Sequence, residues 1–538
     1  MKRVSAFLLG VIFFGAMGFL GITLLQNESA EAKDEKPELT QRIFSMGQKI
    51  YEKQCASCHG LNGKGDGTAS FLLYPKPRDL TSEYRLVSTT VSIPTDEDLF
   101  DTISRGMPGS AMPSWRHLAV KERWALVYYV RYLSQLNDAK KENSWEAQKK
   151  FATVEISSED VIKVPTETPV TAASIQKGKD LFQVACAACH GTQGKGDVSQ
   201  TMRDGSGYVI RPRDLTTGIY KGGGKSRDLY KRLMAGLPGS PMPSYNDSFS
   251  DEQIWDLIHF VQSLRKENPE DRGCLRQNLL VAHKVSYEPP TDPRSAQWSS
   301  VVSQKVPLAP LWWRDRYVEE VEIKAVHNEK KISFYLSWSD PSKDDSAMLL
   351  QHFSDGVALQ FSDEEDPPFF GMGSQGQLVS FWHWKAAWQK EVSTGEDIGQ
   401  KYPNLAVDWY PSDTAYKYGQ PFEAREAQVS QQDPLFITGK GAGNPISHSH
   451  RQSVFEKARA QGFGTLTTDR FEGKVQGLWE KGRWHVVFHR QLAATASEDI
   501  QFSPKKDMSL ALAVWDGNER DRNGQKNVSI WNKLLIEK

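Results

Sequence analysis

The sequence contains one five-residue pattern twice, as Cys55-Ala-Ser-Cys58-His59 and as Cys186-Ala-Ala-Cys189-His190. Such a C-x-x-C-H run is the attachment signal for haem c, in which two thiols form thioethers to the porphyrin and the adjacent imidazole binds the iron. The two runs use four of the five cysteines. The chain is therefore constrained to fold around two covalent haems, and the histidine of each run is predicted to be the proximal iron ligand.

A longer duplication surrounds these runs. Gly47 matches Gly178 at a constant offset from the cysteines, and Gly47 is small enough for another helix to approach. Both copies continue with Gly-Lys-Gly-Asp, Pro-Arg-Asp-Leu and a Gly-x-Pro-Gly-Ser-x-Met-Pro loop. Apolar side chains at helical spacing precede each C-x-x-C-H run and fill each closing segment. We therefore predict two copies of one all-α domain, over residues 38–136 and 172–266.

The second axial ligand is predicted by comparing the two proline-rich loops. Thioether sulfur suits haem iron and raises its potential. The first loop offers Met107 and Met112, but Met107 aligns with Leu237, whereas Met112 has the counterpart Met242. The flanking prolines restrict the loop and would hold the sulfur towards the iron. Met112 and Met242 are thus predicted to be the distal ligands, with packing as the alternative role.

Arg78 and Arg213 occupy the equivalent Pro-Arg-Asp-Leu loops. A guanidinium group pairs with a carboxylate through two parallel hydrogen bonds, so each arginine is a candidate partner for a haem propionate. A solvent-facing ion pair with the neighbouring aspartate is the alternative.

On these motifs, residues of about 40–135 and 172–266 resemble two class I cytochrome c domains. The resemblance implies low-spin iron with histidine and methionine ligands, which shuttles single electrons. With both axial positions filled, the iron would have no open site for oxygen or peroxide.

The amino terminus has the features of an export signal. Lys2 and Arg3 precede an apolar stretch over residues 6–25, and Ala30-Glu31-Ala32 offers an A-x-A cleavage site. The stretch also approaches the roughly 20 residues that span a bilayer. Residues 1–32 are therefore predicted to be a signal peptide or a retained membrane anchor. Either places the remaining domains in the periplasm or on the outer face of the cytoplasmic membrane.

Neither the net charge nor the fifth cysteine predicts a further function. The net charge of −1 gives no argument for a nucleic-acid partner. Cys274 has no partner in a C-x-x-C-H run, and we expect it to be a buried small apolar residue rather than a reactive thiol.

The rest of the chain predicts linkers and a β-domain. Residues 137–171 and 267–299 are polar and lack sustained periodicity, which is typical of linkers. From about residue 306 the apolar pattern takes a period of two, in short aromatic and β-branched runs such as Ile332–Trp338 and Leu510–Trp515. Such runs, bounded by Gly, Asp and Pro, predict an antiparallel β-sandwich over residues 300–538.

A long insertion interrupts this strand pattern. Residues 393–464 contain little strand signal. They are expected to form loops, with a short helix near residues 452–460.

Five motifs of the β-domain resemble the haem b domain of ethylbenzene dehydrogenase and the gamma subunits of dimethylsulfide dehydrogenase, chlorate reductase, selenate reductase and nitrite oxidoreductase. They are Pro367-Pro-Phe-Phe-Gly-Met-Gly373, Phe381-Trp-His-Trp-Lys-Ala386, Gly482-Arg-Trp-His-Val-Val-Phe-His-Arg490, Trp515-Asp-Gly517 and Asn523-Gly-Gln-Lys526. The resemblance implies one non-covalent haem b held between Met372 and Lys526. A lysine binds iron only as the neutral amine, so its ordinary pKa of about 10.4 must be lowered by the metal and by a desolvated pocket.

Other ligands remain possible on chemical grounds, since imidazole is a common haem partner. The candidates are His352, His383, His448, His450, His485 and His489. For Lys526 the alternative is a solvated surface lysine before the last strand.

Every strong signal in this sequence binds haem, and no catalytic triad, phosphate loop or carboxylate pair stands out. The chain is therefore predicted to be an electron-transfer subunit and not an enzyme. The resemblance implies that it relays electrons between a molybdenum catalytic subunit with its iron-sulfur subunit, as in nitrite oxidoreductase, and a respiratory cytochrome or oxidase. The sequence is compatible with either direction of flow.

Two other functions stay open at this point. One is an independent, membrane-tethered dihaem cytochrome c whose sandwich binds a ligand or partner protein instead of haem. The other is an enzyme that catalyses a reaction at an open haem.

Overall fold

The computed structural model shows two helical domains followed by a large β-domain. It describes residues 36–81, 90, 93–135, 144–265, 274–314, 316–394, 453–462, 464–469, 473–494, 499–504 and 506–538. The predicted signal peptide or anchor lies outside these ranges. Within them, none of the helices combines the length and the apolar content that crossing a bilayer requires.

The two helical domains repeat the same order of elements. The first contains α1 (Gln41–Gln54), α2 (Ala56–His59), α3 (Asp96–Arg105) and α4 (Val120–Ser134), followed by α5 (Trp145–Ala152). The second contains α6 (Ala172–Ala185), α7 (Ala187–His190), α8 (Ser226–Ala235) and α9 (Asp251–Leu264), with a small hairpin of β1 (Met202–Arg203) and β2 (Val209–Ile210). The multidomain fold class predicted from the duplication is confirmed for this half of the chain.

Local capping explains where the closing helix of the second domain begins. The Ser250 hydroxyl accepts a hydrogen bond from the Gln253 amide at 3.4 Å, and the Gln253 side chain accepts one from the Ser250 amide at 2.9 Å. This reciprocal arrangement satisfies two amide groups that lack a partner within the helix. The capping box therefore fixes the start of α9 at Asp251.

A glycine lets the first and last helices of each domain touch. A Cβ atom on Gly47 would lie 2.0 Å from the carbonyl oxygen of Ala125, and one on Gly178 would lie 1.9 Å from that of Asp256. Any side chain at either position would therefore push the two helices apart. The close helix approach expected at Gly47 is confirmed, and it is duplicated.

Replacing Gly47 by alanine is expected to lower the free energy of unfolding of the first domain by about 2 kcal/mol. Overpacking costs up to roughly 3 kcal/mol, and alanine returns about 1 kcal/mol through its helix propensity. Lys49→Ala places alanine at an exposed position of the same helix and serves as the control. Thermal denaturation of the whole chain measures the effect, and an unchanged melting temperature in Gly47→Ala would contradict it.

The β-domain is built on one continuous sheet of strands β3 to β16. Their bounds are β3 (Leu279–Lys284), β4 (Gln304–Pro307), β5 (Ala309–Pro310), β6 (Glu320–His327), β7 (Lys331–Ser339), β8 (Gly356–Ser362), β9 (Val379–Lys385), β10 (Phe455–Ala460), β11 (Thr467–Asp469), β12 (Gly473–Glu480), β13 (Arg483–Gln491), β14 (Met508–Trp515), β15 (Asn527–Val528) and β16 (Asn532–Ile536). The main hydrogen-bonded order is β11-β10-β9-β8-β14-β16-β3-β6-β7-β13-β12. Helix α10 (Ala386–Thr394) follows β9 directly.

The sheet folds over so that its two halves enclose one core. Trp384 of β9 and Trp484 of β13 are far apart in the strand order, yet their ring centroids lie 5.1 Å apart. Phe334 of β7 and Phe361 of β8 likewise lie 5.7 Å apart. These aromatic side chains are fully buried or nearly so. The domain is therefore a sandwich, as the period-two runs predicted.

Three local expectations were wrong. The segment 137–171, predicted to be a linker, contains α5, whose Trp145 ring lies 6.0 Å from that of Phe44 in the first helical domain. The segment 267–299, predicted to be a linker, contains β3, which pairs in parallel with β16 and β6 and so departs from a purely antiparallel sheet. Leu280 and Ala282 of this strand are buried in the sandwich. The helix predicted near residues 452–460 is instead strand β10, paired with β9. Its Glu, Lys and Ala residues favour a helix locally, but tertiary pairing overrides that preference.

Backbone hydrogen bonds join the first helical domain to the β-domain. The Tyr74 amide donates to the Leu311 carbonyl at 3.0 Å, and the Trp313 amide donates to the Tyr74 carbonyl at 2.7 Å. The Tyr74 ring also stacks on Trp312, with the centroids 5.1 Å apart. The β-domain is thus held against the first helical domain.

Cys274 contributes to the same junction. It is half-buried rather than part of a core, and its thiol donates to the carbonyl of Arg105 in the first domain. The next residue, Leu275, accepts a hydrogen bond from the Ser114 amide at 2.8 Å. The expectation of a simple apolar role for Cys274 was therefore wrong.

Candidate haem sites

The first C-x-x-C-H run opens onto a cavity of about 200 Å³. The wall of this cavity brings together Cys55, Cys58, His59 and Met112, the predicted thioether and axial ligand residues of one haem c. Most of the remaining wall is apolar and includes Leu73, Leu80, Leu99, Ile103, Trp115, Leu126 and Val130. Met107, the loop methionine that was set aside, also lines the cavity.

Each proximal histidine is oriented by a backbone carbonyl. His59 Nδ1 lies 3.0 Å from the carbonyl oxygen of Arg78, and His190 Nδ1 lies 3.1 Å from that of Arg213. A carbonyl can only accept, so Nδ1 carries the proton and Nε2 is left for the metal. Burial lowers the pKa of both histidines, outweighing these carbonyl bonds, which favours the neutral imidazole that a metal requires.

The two methionine loops have the same hydrogen bonds. The Met107 amide donates to the Met112 carbonyl at 3.1 Å, and the Leu237 amide donates to the Met242 carbonyl at 3.1 Å. The amides of Met112 and Met242 in turn donate to the hydroxyl of the serine two residues earlier. The two copies therefore present Met112 and Met242 on equivalent turns, as expected for equivalent ligands.

Three of the four thiols in the C-x-x-C-H runs do not fit thiolate chemistry. Burial, and then the neighbouring Cys58, raises the pKa of Cys55 to about 12, and burial raises that of Cys58 to about 12. Burial likewise raises the pKa of Cys186 to about 11. Such groups stay protonated at neutral pH and are poor nucleophiles. Two thiols, an oriented imidazole and a thioether around one apolar cavity form a donor set that fits haem c.

The two predicted propionate partners have different surroundings. Arg78 lines the cavity of the first domain, as its proposed role requires. Arg213 instead reaches out of the second domain, where its guanidinium donates to the Gly109 carbonyl at 3.0 Å and lies 4.8 Å from the ring centroid of Trp313. The side chain of Arg213 therefore links the second domain to the methionine loop of the first domain and to the β-domain.

Sequence reasoning missed three residues of the first cavity. Lys221 comes from the second domain, and Phe369 and Phe370 come from the β-domain. Burial, together with the nearby Arg213 and Arg78, lowers the pKa of Lys221 to about 7. No local pattern marks these residues, because each reaches the cavity only through the packing of one domain on another. The motif around Met372 was the one signal that included the two phenylalanines.

In the β-domain, Met372 lies in an unusual backbone conformation. Its φ of 72° is in the left-handed region that residues other than glycine rarely adopt. Its side chain packs in a small cluster with Val379, Ala460, Ala511 and Trp531. A strained methionine held against a sheet is consistent with a functional constraint at this position.

Lys526 has the environment that a neutral amine needs. Burial lowers its pKa to about 8, and its ammonium nitrogen lies 4.9 Å from the ring centroid of Trp515. The solvated surface lysine considered above is therefore wrong for this residue. The amine can lose its proton at modest cost, as iron binding requires.

Strand β14 lies near both predicted haem b ligands. Leu510, Leu512 and Val514 point into the core, so Ala511, Ala513 and Trp515 point outward. Met372 packs against a cluster that contains Ala511, and the Lys526 ammonium lies over the ring of Trp515. Ala511 and Trp515 are four residues apart on this outward face, which is about 13 Å along a strand. The donor set and this face fit a haem b.

The histidines considered as other haem b ligands lie in different parts of the β-domain. His485 Nδ1 lies 2.6 Å from the Tyr335 hydroxyl, and His489 Nδ1 lies 2.8 Å from the Ser333 hydroxyl, both on strands of the other half-sheet. The His383 ring lies against Trp515, with ring centroids 4.7 Å apart, so His383 and Lys526 contact the same tryptophan ring. His448 and His450 lie outside the described residues.

Comparison with known families agrees with this division of the chain. The family model described as cytochrome c matches residues 44–134 and again residues 175–265. The model described as ethylbenzene dehydrogenase matches residues 294–527. The chain joins two cytochrome c domains to an ethylbenzene dehydrogenase domain. All four haem c thiols, both proximal histidines and both loop methionines fall within the cytochrome c matches, and the ethylbenzene dehydrogenase match includes Met372 and Lys526.

Three curated relatives each match about half of this chain. The chain is 23% identical to a putative respiratory nitrate reductase heme subunit of Haloferax mediterranei, over 47% of this chain and 71% of that protein. It is 22% identical to dimethylsulfide dehydrogenase subunit gamma of Rhodovulum sulfidophilum, over 50% and 82%. It is 27% identical to a cbb3-type cytochrome c oxidase subunit of Helicobacter pylori, over 44% and 66%. These relatives are subunits of oxidoreductases, and the first two are haem or gamma subunits by name.

Proposed function

We propose that the chain is a three-haem electron-transfer subunit, with two covalent haems c and one non-covalent haem b, and that it is not itself an enzyme. Bound haem supplies one-electron oxidation and reduction of its iron. The residues of the chain hold the three groups in reach of one another and keep water away from them. The partner proteins set the direction of electron flow and the terminal substrate.

The composition of the first cytochrome c cavity carries this proposal. Phe369 and Phe370, in the wall of that cavity, stand two to three residues before Met372 on the same loop. The proposed haem b ligand is therefore carried by a segment that touches the first haem c site. An independent cytochrome with an unrelated binding sandwich has no need of this contact.

Arg213 extends the arrangement to the second cytochrome c domain. Its carbonyl orients His190, and its guanidinium donates to Gly109 in the loop that carries Met112. One residue thus contacts the proximal side of the second site and the distal side of the first. The order β-domain, first cytochrome c domain, second cytochrome c domain is the path that these contacts support.

The relatives suggest the partners. We infer that the chain connects a molybdenum catalytic subunit and its iron-sulfur subunit, with nitrite oxidoreductase as one such complex, to a respiratory cytochrome or oxidase. The haem b end would face the molybdenum enzyme, because the gamma subunit of dimethylsulfide dehydrogenase is among the relatives. The second haem c would face the respiratory chain, in the periplasm or at the outer face of the cytoplasmic membrane.

A haem inventory of the exported protein tests the cofactor content. Acid-acetone extraction is expected to release one haem per chain and to leave two attached. The rival dihaem cytochrome predicts no extractable haem, and an enzyme with an open haem predicts high-spin iron or carbon monoxide binding in the native state. Either result would overturn the proposal.

Isolation of the native complex tests the partners. We expect molybdenum and iron-sulfur clusters to copurify with the chain, and substrate oxidation or reduction by the complex to change the redox state of its haems. Recovery of the chain without molybdenum under conditions that preserve other complexes of the same cells would contradict the assignment of these partners.

Replacing Lys221 by methionine is expected to lower the reduction potential of the first haem c by tens of millivolts. A positive charge near the iron favours the reduced state. Because burial lowers the pKa of Lys221 to about 7, the lysine is mostly charged only below that pH. At a pH of about 6, removal of this charge at a partly buried site is expected to have an effect of this order. Lys225→Met, at an exposed position of the same segment, is the control. Redox titration of both variants measures the shift, and equal potentials would show that Lys221 does not face the haem.

A further inference from the structure

Three aspartates meet at one end of the sandwich. Asp340 follows β7, Asp355 precedes β8 and Asp516 follows β14. One carboxylate oxygen from each lies within 4.8 Å of those of the other two. The three residues are only 1%, 0% and 8% exposed. Three carboxylates so close together out of water would repel one another strongly if all were ionised.

The hydrogen bonds that the structure describes for these carboxylates come from neutral donors. Asp355 accepts from the Gly517 amide at 2.8 Å, the Asp344 amide at 2.7 Å and the Trp484 indole at 2.9 Å. Asp340 accepts from the amide and the hydroxyl of Ser342. The nearby Arg314 is bound to Asp521 at 2.7 Å. Arg314 also attracts Asp516 electrostatically, but none of the described contacts brings a cation to Asp340 or Asp355.

Buried carboxylate oxygens without hydrogen-bond partners are a second indication that this cluster binds a ligand. Among the described residues, Asp340 Oδ2 and Asp344 Oδ2 are buried and have no hydrogen-bond partner. A buried carboxylate oxygen without a donor is costly, and native structures rarely tolerate one. Burial, and then the neighbouring Asp516, raises the pKa of Asp340 to about 7, while burial and Asp340 raise that of Asp355 to about 8.

We propose that Asp340, Asp355 and Asp516 bind one divalent cation of the calcium class. Calcium takes carboxylate oxygens at 2.3–2.6 Å in irregular geometry, so oxygens on opposite sides of one ion lie up to about 5 Å apart. The spacing of 4.8 Å or less within the cluster is of that size. Asp344 Oδ2 would supply a further oxygen. Magnesium demands a stricter octahedron and keeps several waters, which suits three buried loop carboxylates less well.

The cation would fix the segment that carries Lys526, and this consequence rests on the proposed haem b site. The segment starts at Asp516 and returns to the sheet after Lys526. Asp521 spans it, accepting from the Asp516 amide and from the Asn527 side chain, each at 3.1 Å. Loss of the cation would therefore loosen Lys526 as well as the ends of β7 and β8.

Metal analysis of the whole haem-loaded protein tests the site. Mass spectrometry of protein gel-filtered without chelator is expected to find about one calcium per chain beyond the haem iron. After chelator treatment, the melting temperature should rise with added Ca²⁺ and rise less with the same concentration of Mg²⁺. The proposal is wrong if the protein retains no divalent ion and its melting temperature does not change on addition of Ca²⁺. If Ca²⁺ and Mg²⁺ raise the melting temperature equally, the assignment to calcium rather than magnesium is wrong.

A pair of variants locates the site. Asp340→Asn is expected to weaken Ca²⁺ binding at least tenfold, whereas Asp363→Asn, half-exposed and paired with Lys506, should bind as the parent does. If Asp340→Asn binds Ca²⁺ unchanged, the assignment is wrong. If Asp340→Asn does not fold, the Ca²⁺ titration of the parent protein decides whether the chain binds the cation.

The haem b content of the same samples separates the two proposals. Ca²⁺ binding in a protein without extractable haem would leave the cation site standing and overturn the proposed function. Full haem b retention after calcium removal would overturn only the link to Lys526.

Discussion

Met112→Leu is expected to open the iron of the first cytochrome c domain to carbon monoxide and to lower its reduction potential. Leucine fills nearly the same volume as methionine, so the domain should stay folded, but it supplies no sulfur. Thioether ligation raises haem potentials, and axial ligands set them over a range of roughly 0.8 V. We therefore expect a fall on the order of 0.1 V or more in redox titration of this haem.

The chain provides a matched control for this substitution. Met107 lines the same cavity and has leucine, Leu237, at the equivalent position of the second domain. Met107→Leu should therefore leave the spectrum, the potential and carbon monoxide binding unchanged. If Met107→Leu opens the iron and Met112→Leu does not, the distal ligand has been assigned to the wrong methionine.

The second large effect is expected at the haem b site. Met372→Ala and Lys526→Arg should each reduce the extractable haem from about one per chain to near zero, while both covalent haems remain. Arginine keeps the positive charge and much of the length of lysine, but its guanidinium does not lose its proton in proteins and offers no free lone pair to iron. The loss in Lys526→Arg would therefore report on ligation and not on charge.

Controls for these variants come from the same domain. Met348→Ala removes a half-buried methionine outside the Met372 cluster, and Lys533→Arg changes an exposed lysine of β16. Both should retain extractable haem. Pyridine haemochrome assays of the extract and of the residual protein count the two kinds of haem. If haem b is retained in Lys526→Arg but lost in a variant of His383, the ligand is that histidine, which contacts the same tryptophan ring as Lys526.

Much of the haem c chemistry could be predicted from the sequence, because the thiols, imidazole and methionine belong to short motifs that occur twice. The alignment of Met107 with Leu237 pointed to Met112, while the structure places both methionines in the cavity wall with His59, so the choice of Met112 stays a prediction. Periodicity was less informative in the β-domain. Strand β3 was missed because its six residues lie in a polar segment, and β10 was misread because its residues favour a helix.

The local sequence determined which atoms this protein can offer to iron, because attachment motifs, capping residues and the glycine at each helix crossing act over a few residues. Only the tertiary structure decided what surrounds those atoms. Lys221 and Phe370 enter the first cavity from other domains, and Asp340, Asp355 and Asp516 meet although 176 positions separate the first from the last of them in the numbering. Burial and charge are summed over everything nearby in space, so groups distant in the chain set the electrostatics of each site.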